Sequence, residues 1–106
     1  MGIFGLFAKP TTDEGVKEYQ ETQGAVLLDV RTRQEYAEGH IPGSCNIPLD
    51  TLELAEEKIP DMETPIFVYC HSGARSSQAT ALLERMGYSR VKNIGGIIGY
   101  HGEVEK

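Results

Sequence analysis

The stretch Pro65-Ile66-Phe67-Val68-Tyr69-Cys70-His71-Ser72-Gly73-Ala74-Arg75-Ser76 leads, after Ser77, into Gln78-Ala79-Thr80-Ala81-Leu82-Leu83-Glu84-Arg85-Met86-Gly87-Tyr88. Residues 65–69 form a short apolar run of strand length, rich in β-branched and aromatic side chains. Ala79, Leu82, Leu83 and Met86 then recur at i, i+3, i+4 and i+7, the period of a helix with one apolar face, and Gly87 supplies the left-handed residue that ends it. A strand enters, a tight loop turns and a helix leaves.

That order gives Cys70 a chemical setting. The loop amides and the unpaired first N–H groups of the helix converge on the mouth of the loop, where the helix end also carries partial positive charge. A thiol held there, with Arg75 as a neighbouring cation, ionises at roughly pH 3.5–7.5 instead of about 8.5, and the thiolate is the nucleophile. Cys70 is therefore the expected catalytic residue, and His71, Ser72, Gly73, Ala74, Arg75 and Ser76 form the expected cradle around whatever it carries. Gly73 is expected to meet a backbone demand that a side chain would block. Arg75 has two readings, direct binding of an anionic substrate or donation to loop carbonyls. Ser72 and Ser76 either add hydroxyl donors or cap the outgoing helix, with capping the plainer reading for Ser76. His71 is expected to face solvent.

Upstream, Thr11-Thr12-Asp13-Glu14 marks a capped helix start, followed by Val16 and Tyr19 on an apolar face, with Gly15 out of character for a helix. Ala25-Val26-Leu27-Leu28-Asp29-Val30 is nearly all apolar and fits a strand covered on both faces of a parallel sheet. From Arg31 to Leu49 the chain reads as a short helical turn, a stop at Gly39, a Pro42-Gly43 turn and a brief strand holding Cys45, which is expected in the core. Asp50-Thr51-Leu52-Glu53 predicts another capped start, Leu52, Ala55 and Ile59 mark one face, and Pro60 stops the helix. Downstream, residues 90–94 predict a strand ahead of Gly95-Gly96, with a last helical turn over Ile97-Ile98-Gly99-Tyr100. Strands alternating with helices predict an α/β fold with a mainly parallel central sheet, helices on both faces, and the site at the carboxyl end of a central strand.

With 106 residues, 40% apolar and 25% charged, the chain has the composition of a soluble globular protein. It divides into a lead-in over 1–10 and a single domain over 11–106. The net charge of −6 comes from acids spread over three solvated faces, which argues against a nucleic-acid partner. The apolar opening Met1-Gly2-Ile3-Phe4-Gly5-Leu6-Phe7-Ala8 lacks a basic region and is too short to span a bilayer, so no membrane role is expected. Cys45 and Cys70 make no disulfide framework, which points to the reducing cytoplasm. His40 has no Cys or His at ligand spacing, so it reads as a structural hydrogen bonder, and neither a metal nor a cofactor is expected.

Two separated motifs carry a family likeness. Cys70 to Arg75 brackets four residues ahead of Ser76, and residues 29–46 contain Asp29-Val30-Arg31, Glu35-Tyr36, Gly39-His40-Ile41 and Gly43-Ser44. The chain resembles the rhodanese family over about residues 11–102, nearly its whole length. The likeness implies a rhodanese-like fold and a sulfurtransferase that takes sulfane sulfur from thiosulfate or another persulfide donor. A Cys70 persulfide then passes it to an acceptor, cyanide in an assay and a thiol or protein thiol in the cell, with a monomer expected. Asp29 and Arg31 are supporting residues, orienting the loop or, more plainly, fixing a turn as an ion pair. Some two-domain relatives place cations where Ser72 and Glu35 stand here, which implies weak turnover of thiosulfate. Cysteine phosphatases of similar plan have five intervening residues, so the smaller ring here suits one extra sulfur better than a phosphate. A phosphatase or arsenate reductase is the enzyme alternative, and a rhodanese-like binding module the non-enzyme one, though a module kept for binding alone has no need of a thiolate.

Overall fold

The computed structural model describes residues 11–106, so the lead-in expected over 1–10 lies outside the described residues. Among the described residues the first helix, α1 (Thr12–Glu21), starts where the sequence places it: Thr11 Oγ1 accepts from Glu14 N at 3.1 Å and Glu14 Oε1 accepts from Thr11 N at 2.7 Å. This reciprocal pairing satisfies two donors that a helix start otherwise leaves open. Gly15 has a packing reason, since a Cβ there would sit 2.5 Å from the Ile94 Cβ.

Strands β1 (Val26–Asp29), β2 (Ser44–Asn46), β3 (Ile66–Cys70) and β4 (Val91–Gly96) form one sheet in the order β2-β1-β3-β4, with every pair parallel. All five residues of β3 are buried, as expected of a central parallel strand covered on both faces. Alternation along the strands divides the core. Leu28, Val30, Val68 and Cys70 face Leu52, Ala55, Ala79 and Leu83 on one side, while Leu27, Phe67 and Tyr69 face Val16, Ile41 and Ile94 on the other. The first layer is closed by α4 (Ala74–Met86), whose end at Gly87 has φ +115°, and the second by α1.

One expected start is corrected. In place of a helix capped at Asp50, the chain makes a 3-10 segment over Leu49–Leu54 with Thr51 off helical angles, and only then α3 (Ala55–Lys58). Thr51 Oγ1 donates to the Pro48 carbonyl at 3.3 Å and caps nothing. Leu52, Ala55 and Ile59 nevertheless all reach the core, because a face of buried residues survives a change of helical pitch over so short a span. The remaining helix, α2 (Arg33–Glu38), carries a second reciprocal cap between Thr32 and Glu35.

The pairing of β3 with β4 is irregular. Val68 opposes Asn93, but Tyr69 opposes Gly95, so Ile94 is an extra residue and Gly95 takes φ +100°. This bulge lies one residue below the loop that follows Cys70 and turns Asn93 toward Ser76. Gly96 is required where the chains meet, since a Cβ there would collide with the His71 carbonyl and the Ser72 Cα.

Candidate active site

Cys70 ends β3 with 1% of its surface exposed. The chain then reverses through His71 and Ser72, both exposed, and reaches Gly73, which precedes α4 with φ +109°. That left-handed step is strained for a residue with a Cβ. It aims the Gly73 N–H at the sulfur, 3.0 Å from Sγ. Gly73 therefore meets the backbone demand expected of it, and its turn is part of what gathers donors around the thiol.

Ser76 departs from the capping reading. The residue preceding α4 is Gly73, with no side-chain cap, and Ser76 lies inside the first turn, fully buried. Its Oγ is 3.4 Å from Cys70 Sγ, 2.7 Å from Asn93 Oδ1 and 3.0 Å from the Gly73 carbonyl. The thiol donates to this hydroxyl, and once the thiolate forms the hydroxyl hydrogen can turn to the sulfur. Asn93 holds the arrangement, its Oδ1 accepting both from Ser76 and from the Gly95 N–H at 2.9 Å. Sequence reasoning missed Asn93, because only the bulge in β4 shows that a polar strand residue there meets the loop.

Burial works against ionisation of Cys70. It is outweighed by hydrogen bonding from the Ser76 hydroxyl and N–H and from the amides of Gly73 and Ser72, and the thiol is held below its ordinary range. Arg75 is not among these partners, nor does it donate to loop carbonyls. It meets a carboxylate instead: its Nη1 and Nη2 donate to Glu35 Oε1 and Oε2 at 2.7 and 3.0 Å. Glu35 Oε1 also accepts from the Thr32 N–H at 2.9 Å. The Arg75 guanidinium holds the Glu35 carboxyl down to about pKa 2, against the lesser push of burial.

Asp29 and Arg31 fix a turn. Arg31 donates to both Asp29 oxygens, at 2.7 Å from Nη2 to Oδ2, and Nη2 also reaches the Gly39 carbonyl at 2.7 Å. Asn46 Nδ2 donates to the carbonyls of Asp29 and Arg31 at 3.0 and 2.9 Å. This buried frame ties β1 and β2 to Gly39 at the end of α2. His40 is a structural hydrogen bonder, its Nδ1 2.8 Å from the Tyr36 carbonyl and its ring stacked on Tyr36. Cys45 is half-buried on the edge strand β2, and burial pushes its thiol up. Among the described residues no cluster of His, Cys, Asp or Glu has the makings of a metal site, and no helix is long and apolar enough to cross a membrane.

A buried thiol thus sits at a strand end, with amides and a hydroxyl around it and a helix leading away. The Rhodanese-like domain family matches residues 12–103. This chain belongs to the rhodanese-like family. It is 41% identical over 85 residues to a sulfurtransferase of Allochromatium vinosum, a match covering 77% of this chain and 78% of that protein. It is 39% identical to the thiosulfate sulfurtransferase PspE of Escherichia coli, covering 66% and 68% respectively. Among solved structures, a rhodanese from E. coli superposes with a TM-score of 0.72 at 35% identity over 77% of this chain and 98% of that one. A human single-domain sulfurtransferase superposes at 0.69 with 32% identity over 84% and 91%. The rhodanese-like fold expected from the two motifs is thus found in full, with the loop at the carboxyl end of a central strand.

Proposed function

We propose that this rhodanese-type sulfurtransferase carries sulfane sulfur on Cys70. The supporting observation is the set of donors about Sγ, above all the Gly73 N–H at 3.0 Å. The Cys70 thiolate attacks the outer sulfur of the donor, a sulfur–sulfur bond forms on Cys70, and the donor's own sulfur–sulfur bond breaks with its electron pair leaving on sulfite, when the donor is thiosulfate, or on a thiolate, when it is a persulfide. The acceptor, cyanide in an assay or a thiol or protein thiol in the cell, then attacks the outer sulfur and Cys70 departs again as thiolate. The loop amides offset the charge on the carried sulfur, as an oxyanion hole does for an alkoxide.

Arg75 bears on the choice of donor. With its guanidinium engaged by Glu35, the loop presents amides rather than an open cation to a thiosulfate dianion, which favours persulfide donors over thiosulfate. A compact ring of this size, with Ser76 filling its base, also favours sulfur over phosphate. Intact-mass measurement after brief incubation with thiosulfate, and separately with a persulfide of a small thiol, tests the reading. Cys70 is expected to gain one sulfur atom, faster from the persulfide. No gain from any donor, together with hydrolysis of an aryl phosphate, would hand the site to the phosphatase reading.

A further inference from the structure

The buried Ser76 hydroxyl is surrounded by Asn93 Oδ1 at 2.7 Å, the Gly73 carbonyl at 3.0 Å, the Gly95 carbonyl at 3.3 Å and Cys70 Sγ at 3.4 Å. It has one hydrogen to give them. The direction of that hydrogen follows from Gly95, whose N–H lies 2.9 Å from the same Asn93 atom. A backbone N–H only donates, so the atom is the amide oxygen, and an oxygen facing Ser76 at the best O–H···O distance takes its hydrogen. The sulfur, as a thiol, is left to donate to Ser76 Oγ. Cys70, Ser76 and Asn93 thus form a chain of donors that ends on an atom able only to accept.

Loss of the Cys70 proton inverts this demand. A thiolate only accepts, and a hydrogen bond to a charged group is roughly twice as strong as one between neutral groups. The Ser76 hydrogen then turns to Sγ, while Asn93 Oδ1 keeps the Gly95 N–H and is not orphaned. We propose that Asn93 is a positioning residue that competes with the Cys70 sulfur for the Ser76 hydrogen, holding it while the sulfur is uncharged and yielding it when the thiolate forms. Its place in turnover rests on the persulfide reading above. While sulfur is carried, the inner sulfur is neutral and the hydrogen lies toward Asn93. As the acceptor takes the outer sulfur, the sulfur–sulfur bond breaks, its electron pair returns to Cys70, and the hydrogen swings to Sγ. No proton leaves Ser76, so the swing calls for no base. The charged groups about the thiol are engaged elsewhere: Arg75 on α4 is bound to Glu35 on α2, Asp29 on β1 is bound to Arg31, and His71 of the loop is exposed.

The sign of one shift separates a competitor from a brace. Asn93 is exposed, so Asn93→Ala is expected to fold. Loss of a competitor hands the hydrogen to the sulfur, and the pH midpoint of Cys70 alkylation by iodoacetamide should fall by about half a unit, the equivalent of one modest hydrogen bond. Loss of a brace that only kept Ser76 in place would raise it. Asn93→Asp keeps the shape, strengthens the acceptor and adds charge, and should raise the midpoint by about one unit. In a Ser76→Ala background, with no hydrogen to contest, Asn93→Ala should leave the midpoint unmoved. Turnover gives a second reading, taken above both midpoints. There Asn93→Asp should slow release of the carried sulfur to mercaptoethanol about threefold, without slowing loading from the persulfide of that thiol, because a more basic thiolate departs less readily and attacks no less well. A midpoint that rises or stays put in Asn93→Ala, falls equally without the Ser76 hydroxyl, or fails to rise in Asn93→Asp overturns the assignment, as does equal slowing of loading and release. The alkylation arm uses no sulfur donor, so a parent protein that never loads sulfur on Cys70 overturns the persulfide reading alone.

Discussion

Arg75 and Glu35 meet through two parallel hydrogen bonds of 2.7 and 3.0 Å, joining the first turn of the helix behind the active loop to the first turn of the helix after β1. Neither helix fixes the other's position through its own sequence. The pair therefore links the two helices side chain to side chain, and it does so by occupying the loop's one arginine.

Acid should loosen this joint. Glu35 has its folded pKa depressed from 4.5 to about 2, so its contribution is fully present above the unfolded value and is lost as pH falls from about 4.5 toward 2. Both side chains are about one third exposed, which keeps the contribution at about 0.5–1 kcal/mol. Urea midpoints of the parent should fall across that window by more than those of Glu35→Gln. Parallel curves for the two proteins would remove the ion pair from the acid response.

The same substitution should change donor choice. With Glu35→Gln the guanidinium's charge is no longer offset by a carboxylate, so kcat/KM for thiosulfate is expected to rise about two- to fivefold relative to that for a neutral alkyl persulfide, an effect that added salt weakens. An unchanged ratio would show that Arg75 has no part in recognising the donor.

Cysteine identity gives the sharpest contrast. Cys70→Ser should abolish sulfur transfer while leaving the fold intact, since a serine hydroxyl does not ionise near neutral pH, and Cys45→Ser should keep activity within a few-fold. In the parent, iodoacetamide should modify Cys70 well below pH 8 and Cys45 only at higher pH, in line with the opposite directions of their shifts. Peptide mass mapping after timed alkylation reads both rates.

Ser76→Ala tests what activates the thiol. It removes a fully buried hydroxyl 3.4 Å from Sγ and leaves Asn93 Oδ1 with one partner fewer. The alkylation midpoint of Cys70 should move up by about one pH unit, the equivalent of one modest hydrogen bond. Arg75→Met should move it much less. A larger shift in the arginine variant would return the main role to charge.

The strand, loop and helix about Cys70 were legible because each has a local signature: an apolar run, a glycine, a helical stripe ended by Gly87. The same holds for the Thr11–Glu14 cap. What stayed hidden depends on contacts between residues far apart in the chain. Nothing near Arg75 in sequence shows that Glu35, on another helix, will claim it. Nothing near Asn93 shows that a bulge will bring it under Ser76. The Asp50 start failed for a related reason: Thr51 finds a nearer acceptor in the Pro48 carbonyl, and the core demands only that Leu52, Ala55 and Ile59 face inward, which a 3-10 turn satisfies.

The bulge in β4 also sets a clock. The hydroxyl and amides around Cys70 are held in place by Asn93, Gly95 and Gly96, which leave the ribosome some two dozen residues after the cysteine does. Until β4 docks, the Ser76 hydroxyl beside Cys70 lacks its Asn93 partner. The sulfur's setting is therefore completed only by a strand synthesised after it.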